Sequence, residues 1–136
     1  MSTSSIHEIE HTADSALHIW AEDLAGLFCG AASGMLTLMG MATNKVGEGK
    51  RKIEVESIDR EGLLVAWLEE LLYLMEKHGV GFGKIDIEDI DDRSLVAVAE
   101  EIPGMVPSKE IKAVTYHALE ITECERGLEV TIVFDV

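Results

Sequence analysis

Apolar residues recur at helical spacing in two stretches of the chain. The first stretch begins at Asp23, a good N-cap residue, and reads DLAGLFCGAASGMLTLM. The second stretch carries the stronger helical pattern, begins at Asp59 and reads DREGLLVAWLEELLYLMEKHG. It closes on Gly79, a residue type that commonly follows the last turn of a helix. The pattern therefore predicts two main helices.

The other segments alternate apolar and polar residues, as β-strands do. One such segment precedes the first helix, one lies between the helices, and four follow the second helix: SALHIWA, RKIEVESI, KIDIEDI, SLVAVAEEI, IKAVTYHALEIT and LEVTIVFDV. An order of β, α, β, α and then a run of strands is typical of an α+β fold. We expect residues 1–136 to form a single two-layer domain, with a mostly antiparallel sheet of about six strands and the two helices on one face.

Length and composition agree with a globular domain. The chain has 136 residues, of which 47% are hydrophobic, and this is enough to form a core. No apolar run is long enough to span a bilayer, and residues 1–10 lack the basic and apolar regions of a signal peptide. The two cysteines, Cys29 and Cys124, offer no paired spacing for disulfides or zinc. These features predict a cytoplasmic protein without a membrane segment.

The formal net charge of −15 limits the possible partners. Nucleic-acid binding draws most of its affinity from Lys and Arg side chains that neutralise phosphates, so we expect no strong direct binding of RNA or DNA. An RNA-linked role would then act through a protein partner. The same charge is also compatible with solubility or adaptation to salt, because net charge governs association rather than fold. The sequence does not define an oligomeric state.

The last residues suggest a cluster of carboxylates. The chain closes on EVTIVFDV, a strand-like run in which Asp135 lies next to the terminal carboxylate of Val136. If the strand that starts near Asp14 lies beside this last strand, three carboxylates converge and require a positive charge between them. Such hard oxygens suit calcium, magnesium or manganese rather than zinc. The alternative for Asp14 is a structural one, in which it caps the turn of HTAD.

The segment HEIEH at residues 7–11 matches the zincin pattern. In that chemistry His7 and His11 bind zinc while Glu8 polarises a water molecule, and only a helix brings the two histidines to one side. Few residues precede the motif, and no helical apolar stripe continues beyond it. A small metal-dependent hydrolase is therefore the weaker functional alternative.

Four segments taken together resemble the archease family over nearly the whole chain. They read HTADSALHIWAEDLAGLFCGAASGMLTLM, EGLLVAWLEELLYLME, KAVTYHALEI and VTIVFDV. The resemblance implies a non-catalytic, cytoplasmic activator of an RtcB-type tRNA-splicing RNA ligase. Such an activator promotes guanylylation of the ligase, sustains its multiple turnover and broadens its nucleotide use beyond GTP.

The resemblance also implies roles for individual residues. A divalent cation would be bound through Asp14, Asp135 and Val136, and Lys112 of KAVTYH would take part in activating the ligase. An acidic residue in the strand before the second helix is also implicated, and both Glu54 and Glu56 are candidates. Without the resemblance, Lys112 would be interpreted as a solvated charge at a sheet edge. A general protein chaperone is a third alternative, which nothing in the sequence supports.

Overall fold

The structure is a computed structural model that describes the backbone of residues 4–10 and 14–136, and the side chains from residue 15 onward. In this part of the chain, strands and helices follow one another in the order β1 (Ser4–Glu10), β2 (Asp14–Ala21), α1 (Leu24–Leu38), β3 (Gly49–Glu56), α2 (Arg60–His78), β4 (Val80–Ile90), β5 (Ser94–Pro103), β6 (Ala113–Thr115), β7 (Thr122–Cys124) and β8 (Gly127–Asp135).

Both predicted helices are present, and local capping groups define their ends. The Asp23 carboxylate accepts the backbone N–H of Gly26 at 2.8 Å, and the Asp59 carboxylate accepts that of Gly62 at 2.7 Å. Each bond satisfies an N–H that has no partner inside the helix. Gly79 follows α2 with φ 63° and ψ 40°, and its N–H donates to the Met75 carbonyl.

The predicted α+β class is confirmed, but the strands form two antiparallel sheets rather than one. The first sheet has the order β1-β2-β8-β6, with β7 also paired to β8, and the second has the order β3-β5-β4. Each helix contacts strands of both sheets: α1 contacts β2 and β4, and α2 contacts β3 and β6. An apolar stripe predicts that a helix is buried, but it does not specify how many sheets bury it.

The last strand is anchored in the core. Ile132 and Phe134 of β8 are fully buried, and they belong to one apolar cluster that includes residues of both helices and both sheets. Trp67 of α2 is also fully buried, and its indole N–H donates to the Phe28 carbonyl of α1 at 3.0 Å. The end of the chain is therefore attached to the same core as the helices. No helix in the described part of the chain is long and apolar enough to span a membrane.

Candidate functional site

Strands β2 and β8 bring two of the predicted metal-binding residues into register. Asp14 and Asp135 are directly opposite each other in this antiparallel pair, followed by Ser15 opposite Phe134. The predicted carboxylate cluster requires β2 and β8 to be neighbouring strands, and the backbone shows that they are. The side chain of Asp14 lies outside the described residues, so the pairing is established for the backbone only.

The end of β8 is held from both sides. On the side away from β2, Ala113 of β6 is directly opposite Asp135, and the N–H of Lys112 donates to the Asp135 carbonyl at 2.8 Å. Burial alternates along the strand, so that Phe134 is buried and Asp135 is exposed. Val136 is half-buried and packs against the core. The Asp135 carboxylate therefore lies on the outer face of the sheet, on a fixed backbone.

Lys109 contacts the strand that carries Asp14, and sequence reasoning missed this contact. Its ammonium donates to the hydroxyl of Ser15 at 3.0 Å, and Ser15 is the buried polar residue among the described side chains. The Lys109 backbone N–H also donates to the Met39 carbonyl. Because side chains alternate along a strand and Ser15 is paired with the buried Phe134, this contact lies on the inner face of the sheet, opposite the face of the Asp135 carboxylate. No local pattern marks Lys109, because 94 residues separate it from Ser15.

The backbone of Lys112 lies next to the end of β8, and its side chain is exposed. The structure therefore brings Asp14, Asp135, Val136 and Lys112 to one end of the five-stranded sheet. Whether the Lys112 ammonium takes part in activation stays a prediction.

Glu54 and Glu56 lie on the other sheet. Both are exposed on β3, where Glu54 is opposite Val96 and Glu56 is opposite Ser94. The Lys52 ammonium lies 3.1 Å from a carboxylate oxygen of Glu54. The sheet pairing does not bring either glutamate to Asp135, and the choice between the two stays open.

The zincin interpretation of HEIEH fails for the described part of the motif. Residues His7 to Glu10 belong to strand β1, where His7 is opposite His18 of β2. An extended strand does not give the helical spacing that two zinc ligands four residues apart require. His11 lies outside the described residues. The segment from Ile6 to Glu10 accordingly belongs to a strand rather than to a catalytic helix.

Neither cysteine adds a metal ligand to the site. Cys29 and Cys124 are free thiols, and burial together with the nearby Asp86 carboxylate raises the pKa of Cys29. Among the side chains from residue 15 onward, no group of three or more His, Cys, Asp and Glu could hold a metal ion. That set does not include Asp14 or the terminal carboxylate, which are the other predicted ligands.

Fold and site together define a class of small acidic α+β protein, with two antiparallel sheets around two helices and an aspartate at the end of a central strand. The family model described as the Archease protein family matches residues 7–136. This chain belongs to the archease family, and the predicted resemblance is confirmed.

Individual relatives match this chain over most of their length. The protein archease of Methanosarcina mazei is 36% identical, with 94% of this chain and 93% of the relative covered. The protein archease of Pyrococcus furiosus is 33% identical, with coverage of 87% and 88%. The solution structure of protein 1598 of Methanobacterium thermoautotrophicum has a TM-score of 0.75 and 29% identity, and the match covers 96% of this chain and 98% of that one.

Proposed function

We propose that this protein is a non-catalytic, divalent-metal-binding activator of an RtcB-type tRNA-splicing RNA ligase in the cytoplasm. In this role it promotes guanylylation of the ligase, sustains multiple turnover and broadens the use of nucleoside triphosphates. Membership of the archease family supports the proposal. The structural observation that carries it is the register of β2 and β8, which sets Asp14 opposite Asp135 at the end of the sheet.

The residues at this end suit a hard divalent cation. Directly opposed residues of an antiparallel pair have Cβ atoms about 4.5–5.5 Å apart, a separation at which two carboxylates can share one ion. Asp14, Asp135 and the terminal carboxylate of Val136 would bind calcium, magnesium or manganese, since all the donors are oxygens. The bound cation would supply positive charge that offsets the repulsion between the carboxylates.

The protein's own groups would then act on the partner by position and charge. Hydrogen bonds to β6 and β2 hold the Asp135 backbone, so the carboxylate is presented from a rigid strand end. The exposed Lys112 ammonium would meet anionic groups near the ligase active site. Glu54 or Glu56 would make a second contact from the other sheet. No step of the ligation chemistry is assigned to this chain.

The test is multiple-turnover RNA ligation by an RtcB-type ligase from the same source, with GTP and manganese. Catalytic amounts of the wild-type protein are expected to convert a stalled, single-turnover ligase into a cycling one. Asp14→Ala and Asp135→Ala are expected to abolish this stimulation. Asp92→Ala is the matched control, because it removes one exposed carboxylate from the loop between β4 and β5 and should stimulate like the wild type.

Two results would contradict the proposal. If the wild-type protein leaves ligation unchanged at every ratio to the ligase, the activator function is wrong. If the Asp14 and Asp135 variants stimulate as well as the wild type, the strand end is not the working site.

A further inference from the structure

A groove beside α2 is lined by methionines. It has a volume of about 480 Å³ and lies between α2 and the segments around residues 40 and 108. Four of the six methionines of the chain line it: Met39, Met41, Met75 and Met105. Met39, Met41 and Met75 are buried members of the core and form the floor of the groove, whereas Met105 is half-buried. Methionine side chains are flexible and polarisable, so such a floor can adapt to apolar side chains of varied shape.

One stripe of α2 forms a wall of the groove. Glu69, Leu72, Tyr73 and Glu76 line it, and their spacing of three, one and three residues places them on one face of the helix. Tyr73 is 52% exposed, and the Lys77 ammonium lies 5.4 Å from the centre of its ring. A large exposed aromatic side chain beside a groove with a methionine floor is typical of a binding surface.

The charge around the groove selects for a basic partner. Glu69, Glu76 and Glu110 line it and are exposed, whereas Lys112 is the single cation among the described residues that line it. The whole chain carries a formal net charge of −15, which adds to the attraction of cationic segments. A floor of buried methionines with an acidic rim matches a segment that has apolar anchors and Lys or Arg flanks.

We propose that this groove docks a basic amphipathic segment of the partner protein. If the partner is the RNA ligase, this inference rests on the function proposed above. The groove and the strand end are connected, because Lys112 lines the groove and its N–H is bonded to the Asp135 carbonyl. A segment seated in the groove would bring the rest of the partner against Asp135.

A first experiment tests the groove without the ligase. Two labelled peptides of about five helical turns carry Leu at helical spacing, with Lys at the polar positions of one and Glu at those of the other. Fluorescence anisotropy should show binding of the Leu/Lys peptide that weakens as salt is added, and much weaker binding of the Leu/Glu peptide. Equal binding of both peptides, or of neither, would overturn the assignment of a basic partner.

Charge reversal locates the binding. The double variant Glu69→Lys/Glu76→Lys should weaken binding of the Leu/Lys peptide by about tenfold. The double variant Glu88→Lys/Glu125→Lys makes the same change of net charge at exposed positions outside the groove, and it should bind like the wild type. Equal weakening by both double variants would show only general attraction to an acidic protein. It would overturn the assignment of the groove as the binding site.

Loss of the aromatic side chain tests the apolar part of the site. Tyr73→Ala should weaken binding of the Leu/Lys peptide by about tenfold, since aromatic anchors commonly dominate such contacts. Ile58→Ala is the control, because Ile58 is 85% exposed and does not line the groove. Unchanged binding by Tyr73→Ala would contradict docking at this face.

The same variants with the ligase separate this inference from the proposed function. We expect the Glu69/Glu76 and Tyr73 variants to lose affinity for the ligase by about tenfold and to require more protein for the same stimulation. If these variants bind and stimulate the ligase as well as the wild type does, docking in the groove is wrong, whereas the activator function is supported. If the wild type neither binds nor stimulates the ligase, both the activator function and docking to the ligase are wrong.

Discussion

At the scale of single residues, hydrogen bonds to one carboxylate define the turn between β4 and β5. One oxygen of Asp91 accepts the backbone N–H groups of Arg93 and Ser94, each at 2.8 Å, and the Ser94 hydroxyl at 3.1 Å. These bonds hold the pKa of Asp91 below its ordinary value of 3.8, with the Arg93 and Ser94 backbone bonds as the main cause. The ionised carboxylate therefore stabilises the turn.

Replacing Asp91 should lower the stability of the fold by an amount that depends on pH. Asp91→Ala is expected to lower the melting temperature at pH 7, whereas Asp92→Ala, at the next exposed position, should not. Because the pKa of Asp91 is lower in the folded state, its contribution is fully present above the unfolded value and is lost as pH falls through the folded value. Thermal unfolding from pH 7 downward should show the wild type and Asp91→Ala converging below about pH 3.8. A constant difference in melting temperature would contradict this account.

At the scale of secondary-structure elements, local signals explain the helices better than the sheets. The starts of α1 and α2 and the end of α2 were predicted from Asp23, Asp59 and Gly79, because capping involves atoms only a few residues apart. The partners of each strand could not be predicted in this way. An alternating run indicates which residues share a face, but its neighbours depend on contacts that are distant in the chain.

The glycine after α2 allows a direct test of one such local signal. Gly79 has φ +63°, and a Cβ added there would meet nothing within 4 Å, so substitution changes the backbone strain without a clash. Gly79→Ala should lower the free energy of unfolding by about 1 kcal/mol. Gly49→Ala is the matched control, since its Cβ would also meet open space and its φ is not positive. Denaturant unfolding should show a loss for Gly79→Ala alone, and equal effects of both substitutions would exclude strain as the cause.

At the scale of the whole molecule, the position of the chain end depends on both neighbours of β8. Asp135 has β2 on one side and β6 on the other, and Phe134 is anchored in the core beside it. A strand end held in this way can present a carboxylate at a fixed place, whereas a terminus without such contacts commonly frays.

Extending the chain beyond Val136 should therefore impair the proposed metal site. A C-terminal tag removes the terminal carboxylate and crowds Asp135, so calcium affinity should fall by roughly tenfold or more, as even the loss of an outer-shell partner does. Isothermal titration calorimetry with calcium would measure this, with an N-terminally tagged protein as control. An unchanged calcium affinity in the C-terminally tagged protein would count against the terminal carboxylate as a ligand.

Local patterns in the sequence were enough to predict the two helices with three of their caps, the strand-forming segments, the α+β class and the resemblance to archeases. These features depend on periodicity and on contacts within a few residues, which are visible in a linear pattern. The division into two sheets and the register that sets Asp14 opposite Asp135 are visible only in the folded chain. The same is true of the contact between Lys109 and Ser15 and of the methionine groove, which three separate segments form. Those features depend on packing between residues far apart in the chain, where many pairings share the same local pattern and only burial of the common core selects one.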